Sequence, residues 1–311
     1  MTKSVSFAAL LVALPVSTAV AADLAAKREQ VVAPLTIPAW SGFHVGLNAG
    51  GTWSNSNYQI SSWPSVIGPG NPGPNPSGNS HYSATAILGI IGNNSANSAG
   101  FIGGGQIGYD HQFGGKFITG VETDIQGVTE NSGGGSYWRN NSVLGANLYN
   151  HNYLSGVSVS KSLDYLGTVR GRVGYLVSPA LLIYGTGGFS YGGANLSLNA
   201  AQIGYNHNVN YDTIGPGYTS ISQTRVGWTA GGGLEWMFMP NWSVKAEYLY
   251  YDLGSAQTNA GYTIAAKTRG TDPQTTFING SQISSRFNGN IVRLGVNYHM
   301  DFASTPVIAK F

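Results

Sequence analysis

Pairs of ionisable residues separated by one position stand inside otherwise apolar segments of this sequence. Glu122 and Asp124 form one such pair, and Arg170 and Arg172 form another. Because successive side chains of a β-strand point to opposite faces, residues two apart share a face. Charges on an enclosed face must pair, since an isolated ion there is strongly destabilising. We therefore expect Arg170 and Arg172 to face Glu122 and Asp124 across neighbouring strands.

The same spacing recurs along the chain and defines a predicted ion-pair network. In each strand-like run, the charged residues fall on the face opposite the large apolar residues. The predicted members are Glu122, Asp124, Asp164, Arg170, Arg172, Arg225, Glu235, Lys245, Glu247 and Arg293. Asp110 and Asp301 share the inward face in this interpretation. We expect the network to plug the interior, and the alternative is a gate that re-pairs its ions and opens a small conductance.

Histidines offer a second kind of chemistry, that of a barrel enzyme. His44 and His299 lie in the first and last runs, which become neighbours if the sheet closes, so the two rings could meet near Asp301. No serine nucleophile with oxyanion donors is evident beside them, and the sequence contains no GxSxG or phosphate-loop motif. We favour hydrogen bonding for these histidines, and expect no catalytic, cofactor-binding or metal-binding residues.

Eight runs of alternating apolar and polar residues would position these charges. The runs cover approximately residues 42–53, 100–112, 117–129, 163–177, 181–194, 223–238, 242–254 and 288–302. Each is about as long as a tilted strand that crosses a bilayer. Three short turns alternate with four long polar stretches; the turns are residues 113–116, 178–180 and 239–241, and the stretches are 56–99, 131–160, 195–222 and 255–287.

Two architectures fit this alternation. In a soluble sandwich the charged face meets water, whereas in a membrane barrel the apolar face meets lipid. Regularly alternating short turns and long loops are typical of outer-membrane barrels, as are aromatic residues near strand ends. The sequence therefore predicts an all-β fold, an eight-stranded antiparallel transmembrane β-barrel with four long extracellular loops. Residues 64–80 are rich in Pro, Gly and Asn and are expected to have no regular structure, and residues 131–152, rich in Asn and Gly, are expected to be a solvent-exposed loop.

Composition agrees with this class. Only 9% of the 311 residues are charged, 45 are glycine and none is cysteine, whereas a typical soluble domain has about 25% charged residues. The body of the chain has no uninterrupted apolar run of about 18 residues, so spanning helices are not expected. The formal net charge of +2 gives no indication of a nucleic-acid partner.

The first residues have the pattern of an export signal. Lys3 precedes the apolar segment 5–14, and Ala19-Val20-Ala21 has the small-x-small form of a cleavage site. We expect a cleaved signal peptide over 1–22, a periplasmic leader over 23–39 and the barrel over 40–311, with cleavage after Ala21 or Ala22.

Several motifs resemble one known family. The segment WSGFHVGLNAG at 40–50 resembles the first strand of Omp25/Omp31-like outer-membrane β-barrel proteins of α-proteobacteria. The segments at 104–109, 164–175 and 292–299 resemble its later strands. The resemblance implies an OmpA-like barrel of a porin-related family, abundant and antigenic. His44 departs from the usual tyrosine. The chain continues past Phe302 to Phe311, so either phenylalanine could be the signal for the barrel-assembly machinery.

These observations predict a monomer in the cell outer membrane, with both termini periplasmic and with outer-membrane lipid and lipopolysaccharide as its surroundings. The expected role is structural: envelope integrity and display of the loops, with a lumen plugged by ion pairs. A narrow porin-like diffusion channel is the alternative, and a barrel enzyme is the second alternative.

Overall fold

The protein forms one antiparallel sheet in which each strand pairs with its neighbours. The computed structural model describes residues 40–67, 90–144, 150–205, 217–266 and 276–300. Its strands are β1 (Gly42–Ile67), β2 (Gly92–Phe113), β3 (Phe117–Glu130), β4 (Gly133–Leu144), β5 (Asn150–Ser178), β6 (Leu181–Tyr205), β7 (Gly217–Met239), β8 (Trp242–Ala266) and β9 (Thr276–Met300). Within the described residues, no helix is long and apolar enough to span a membrane.

The strand pairings form a closed series that begins and ends at β1. β1 pairs with both β2 and β9, β3 pairs with β5, and the strands from β5 to β9 pair in sequence. β4 was not among the predicted runs. It pairs with residues 150–161 of β5, whereas β3 pairs with residues 165–175 of the same strand. β3 and β4 therefore follow one another along β5 and are separated by Asn131 and Ser132.

Three short turns connect strands at one end of the sheet, which we call the lower end. They comprise residues 114–116, 179–180 and 240–241, close to the predicted positions. Gly114, Gly115 and Asn241 have φ values of 58°, 75° and 68° in these turns, a region that glycine and asparagine adopt most readily. β1 begins and β9 ends at this same end, because His44 lies opposite His299.

The expectation that the long polar stretches are loops is wrong for much of their length. Residues 56–67, 92–99, 133–144, 150–160, 195–205, 217–222, 255–266 and 276–287 are strand. The segment 155–161 explains the error: Ser158 and Ser160 point outward, and Val157 and Val159, which alternate with them, are buried. Its composition is polar, but its alternation is that of a strand with an apolar inner face. The parts of the stretches at 68–89, 145–149, 206–216 and 267–275 lie outside the described residues.

Because the strands are this long, the sheet has two regions, and the polarity of the outward and inward side chains is reversed between them. The lower region comprises residues 43–53, 101–113, 117–127, 167–177, 181–191, 226–239, 242–250 and 290–300. Its outward side chains are large and apolar, including Leu47, Val121, Val173 and Leu294, which are 73%, 59%, 64% and 62% exposed. Its inward side chains are mostly charged or polar.

The upper region has the reverse arrangement. It comprises residues 54–62, 90–100, 128–140, 154–166, 192–201, 217–225, 251–259 and 280–289. Its outward positions are mostly Ser, Asn, Gln and Thr, and its inward positions form an apolar cluster that includes Ile60, Leu196, Leu198 and Ile283.

Aromatic residues concentrate at the two limits of the apolar band of the lower region. Near the lower end, Phe43 packs edge-on against Tyr109 with ring centroids 4.9 Å apart, and Trp242 packs against Tyr298 at 5.2 Å. At the upper limit, Trp228 contacts Tyr250 at 5.4 Å. The band is therefore bounded by rings on both sides.

Candidate functional site

The charged interior of the lower region is the candidate site, and the strand register creates it. Glu122 of β3 lies directly opposite Arg170 of β5, and the guanidinium group of Arg170 donates to the Glu122 carboxylate. Arg170 also donates to Asp124 at 3.1 Å and to Glu247 at 2.9 Å. One planar side chain thus joins carboxylates from two sides of the interior, a geometry that suits arginine.

Arg293 of β9 completes this upper layer of charges. It donates to Asp124 at 2.8 Å and also to Glu247. Since Arg170 binds the same two carboxylates, each carboxylate lies between two guanidinium groups. The layer therefore alternates in charge around the interior.

A second layer, nearer the lower end, is organised by Arg172. Its guanidinium group lies 3.1 Å from Asp110 and donates to Glu235 at 2.8 Å, and it stacks over the Tyr184 ring at 4.7 Å. Glu122 joins the layers, because it binds Arg170 of the upper layer and lies 3.6 Å from the Arg172 guanidinium group. The Lys245 ammonium group donates to both of its carboxylate oxygens, at 2.7 and 2.9 Å.

Glycine makes room for these side chains at specific points. A Cβ atom at Gly120 would lie 2.1 Å from Asp110 Oδ1 and 2.6 Å from the Tyr109 carbonyl oxygen. Because both distances are shorter than any real contact, an alanine at this position would displace the carboxylate that Arg172 binds. The glycines of these strands are thus part of the site.

Neutral polar side chains extend the lower layer. Asn48 donates to Gln106 at 3.0 Å, Gln106 donates to Asn297, and Asn297 donates to Glu235 at 2.8 Å. This amide chain runs from β1 through β2 and β9 to a carboxylate of β7. It leaves Glu235 with bonds from both a guanidinium and an amide group.

The two histidines predicted to meet are indeed close, with ring centroids 5.5 Å apart. His44 lies 3.3 Å from both Asp110 and Glu122. Asp301, the third residue proposed to be near them, lies outside the described residues. His299 instead contacts Ser243 at 2.9 Å, and Ser243 donates to Glu235 at 2.6 Å.

This serine, histidine and glutamate do not form a catalytic triad. Ser243 is fully buried, and Glu235 approaches the same ring nitrogen of His299 that contacts Ser243, at 3.3 Å. A triad needs the carboxylate on the other ring nitrogen and an exposed hydroxyl group. The arrangement is a hydrogen-bonded part of the interior.

The network is enclosed and almost electrically balanced. Its eight central side chains are at most 2% exposed: Glu122, Asp124, Arg170, Arg172, Glu235, Lys245, Glu247 and Arg293. With Asp110, five carboxylates face four cationic groups. A proton on either His44 or His299 would bring the cluster to neutrality, which favours ions that cannot be hydrated.

Mostly apolar layers cover the network on both sides. Toward the upper region, the next inward residues include Leu166, Leu249 and Ile291, each at most 1% exposed. The polar side chains of Gln126 and Thr52 are buried at the same level, opposite Leu166 and Ile291. Toward the lower end lies a second buried cluster of Trp40, Ile118, Leu176, Leu182, Tyr184 and Met237. The Trp40 indole donates to the Pro179 carbonyl oxygen at 2.9 Å, which fixes the ring across the lower mouth.

Eight of the ten residues predicted for the network lie together in it, and two do not. Asp164 is exposed, so its placement on the inward face is wrong. The cause is a bulge in β5 between Leu163 and Leu166, where one extra residue reverses the alternation. Arg225 is half-buried in the upper region, where it donates to the Ser255 carbonyl oxygen; in the described residues it makes no ion pair.

Sequence reasoning missed other members of the site. Asp110 was placed on the inward face but not in the network, although it lies beside Arg172 and His44. Trp40 and Tyr184 were not predicted to close the interior. Trp40 precedes the first strand, and no periodicity could indicate which way its ring points.

Comparisons with known proteins agree with this geometry. The sequence pattern of the "Outer membrane protein beta-barrel domain" matches residues 7–299. The 31 kDa outer-membrane immunogenic protein of Brucella melitensis is 29% identical over 298 residues, covering 95% of this chain and 99% of that protein. A 22 kDa outer membrane protein of Rhizobium leguminosarum is 29% identical over 168 residues, 51% of this chain and 60% of that protein.

Two solved structures show a weak likeness to this chain. OprG of Pseudomonas aeruginosa has a TM-score of 0.37 at 10% identity, covering 85% of this chain and 99% of that chain. Ail of Yersinia pestis has a TM-score of 0.25 at 13% identity, covering 81% and 99%. The sequence matches, which span nearly the whole chain, indicate the cell outer membrane and an Omp25-like protein. The chain belongs to the outer-membrane protein β-barrel family.

Proposed function

We propose that this protein is a structural outer-membrane barrel that is closed to diffusion and that serves envelope integrity and surface display. The observation that carries the proposal is the enclosure of the charged network. Its central side chains are at most 2% exposed and lie between two mostly apolar layers. A channel requires a continuous hydrated path, and the interior of a barrel of this size is just wide enough for side chains to fill.

We infer eight strand positions around the barrel. β3 and β4 occupy one position, because both pair with β5 and they follow one another along it. The outward apolar band of the lower region supports a bilayer around it, since aromatic residues bound the band on both sides. Short turns are periplasmic in bacterial barrels, which supports a periplasmic lower end and periplasmic termini.

The upper region supports the display role. Its polar outer wall extends beyond the apolar band, so the upper ends of the described strands lie away from the membrane surface. Signal-peptide cleavage and recognition of Phe302 or Phe311 by the assembly machinery concern residues outside the described part, and they stay predictions, as does the monomeric state.

Planar-bilayer recording tests the closed interior. We expect the refolded protein to give no steady current, while a known porin in the same membranes gives one. Arg170→Ala is also expected to be silent, because Leu166, Leu249 and Ile291 still fill the next layer. Resistance to SDS before heating confirms that both proteins are folded.

A steady wild-type current would contradict the proposal and favour the narrow diffusion channel. If the wild type gave no current and Arg170→Ala gave one, the ion pairs alone would close the interior. Arg225→Ala is the matched control, because that arginine lies outside the network.

A further inference from the structure

One patch on the outer wall of the upper region differs from its surroundings because it carries large aromatic rings. Trp138 of β4 and Tyr218 of β7 are 59% and 60% exposed. They line a shallow pocket of about 270 Å³. Its remaining lining consists of small or neutral polar residues, including Ser136, Ser158 and Asn199.

Strand register builds the polar floor of this pocket. Ser136, Ser158, Asn199 and Tyr218 lie opposite one another across β4, β5, β6 and β7. The row spans three strand spacings, roughly 14 Å. Ser136 donates to Ser158 at 2.9 Å, so the Ser158 hydroxyl keeps its own hydrogen for a ligand, and the Asn199 amide supplies both a donor and an acceptor.

Trp138 forms a platform at one side of the floor. A Cβ atom at Gly156 would lie 2.6 to 2.7 Å from three atoms of its ring, so the ring packs against the bare glycine backbone. One face of the indole thus lies on the barrel wall and much of the ring remains exposed. The negative face of an aromatic ring attracts the polarised C–H groups of a sugar.

The chemistry of the pocket selects its ligand class. Two exposed rings, hydroxyl groups and an amide match a saccharide, which has an apolar C–H face and a rim of hydroxyl groups. The lining contains no charged residue, which favours neutral sugars over phosphate groups. The adjacent Arg139 is directed elsewhere, as it stacks on Tyr137 and donates to the Ile91 carbonyl oxygen.

The position of the pocket identifies the source of the saccharide. It opens on the same outer face as the apolar band. Ser158 lies seven residues along β5 beyond Tyr165, where the outward residues have become polar, and this is about 15–20 Å along the membrane normal for a tilted strand. In a Gram-negative outer membrane, that space holds the sugars of lipopolysaccharide. We propose that the Trp138–Tyr218 pocket binds neutral sugars of the lipopolysaccharide core next to the barrel.

Binding of released core oligosaccharide tests the proposal. The full chain in detergent micelles is titrated with core oligosaccharide cleaved from lipopolysaccharide by mild acid, and separately with the lipid A fraction. We expect Trp138→Ala and Tyr218→Ala each to weaken oligosaccharide binding by about five- to tenfold. Gly156→Val, which keeps both rings but lifts Trp138 from the wall, should weaken it similarly.

Controls separate a site from general adhesion. Trp228→Ala removes an exposed ring from the apolar band and should leave oligosaccharide binding unchanged. All variants must resist SDS before heating, so that a loss does not reflect unfolding. Unchanged affinity in both aromatic variants, binding explained by lipid A alone, or tighter binding of an unrelated maltooligosaccharide would each overturn the proposal. None of these outcomes depends on whether the interior conducts ions.

Discussion

The lower and upper regions of this barrel use the same strands with opposite polarity. In the lower region, Val121 and Val173 point outward while Glu122 and Arg172 point inward. In the upper region, Ser158 points outward and Val157 points inward. The ladder between β6 and β7 runs through both regions without a register shift, so the backbone does not cause the difference there. In β5, the bulge between Leu163 and Leu166 contributes to it.

The surroundings of each region account for the reversal. Apolar side chains leave water wherever they can, and a bilayer around the lower region, as we propose, removes them from water on the outside. The interior is then free to hold ions, provided that each is paired. Beyond the bilayer the outside is aqueous, so the apolar side chains must turn inward and form a core of the kind found in a soluble protein.

The largest expected effect comes from breaking the charged interior. Glu122→Leu removes the carboxylate that Arg170 and Lys245 both bind, and leaves these cations enclosed with one partner fewer. We expect the free energy of unfolding to fall by about 3–5 kcal/mol, measured by urea denaturation in lipid vesicles.

Asp164→Ala is the matched control for this experiment. Asp164 carries a carboxylate on β5, the strand that pairs with β3, but it is exposed. Its loss should therefore change the free energy of unfolding by about 0.5 kcal/mol or less. Equal effects for the two substitutions would show that the ions are not enclosed.

A smaller effect is expected from placing a charge on the outside of the lower region. Val121 is 59% exposed and lies near the middle of the apolar band. Val121→Arg should lower the free energy of unfolding by about 2–4 kcal/mol, because the guanidinium group must enter the hydrocarbon. The same unfolding measurement in vesicles, not in detergent, reports this cost.

Ser160→Arg provides the comparison in the upper region. Ser160 points outward from the wall of β5, where water can solvate an arginine, so we expect almost no change. If Ser160→Arg were as destabilising as Val121→Arg, the boundary of the bilayer would lie higher than the aromatic residues indicate.

Much of the lower region could be predicted from the sequence, for a physical reason. The alternation there sets large apolar residues against ionised ones, and this contrast identified the facing of Glu122, Arg170 and Lys245. The upper region alternates Ser with Val or Asn with Leu, as at 155–161 and 195–199. That weaker contrast is easily taken for the composition of a loop.

Two errors within the network show the limits of periodicity. Asp164 was misplaced because a single bulge residue reverses every side chain beyond it, and nothing in the local composition marks the bulge. Arg225 has the correct face but lies too far along β7 to reach the network. Alternation indicates the face of a residue, whereas its height depends on the register of the whole sheet.

The smallest expected effect concerns Lys161, the one lysine among the buried residues of the upper region's interior. Its ammonium group donates to Ser56 and to the Arg286 carbonyl oxygen and lies 4.7 Å from the Phe287 ring. Burial lowers the pKa of Lys161 from 10.5 to about 8, although the nearby Glu130 carboxylate opposes the shift. Glu130 itself is held by Ser98 and by the backbone N–H of Leu163.

The sign of the pH dependence follows from this lowered pKa. Above about pH 8 the folded protein loses the proton while the unfolded chain keeps it up to about pH 10.5, so stability rises with pH in that window. Between about pH 7.5 and about pH 9, we expect the free energy of unfolding to increase by about 1 kcal/mol relative to Lys161→Met, which has no such group to titrate. Parallel urea titrations of the two proteins would measure the difference. If the difference in the free energy of unfolding did not change across this range, water would reach Lys161 and the upper interior would not be a dry apolar core.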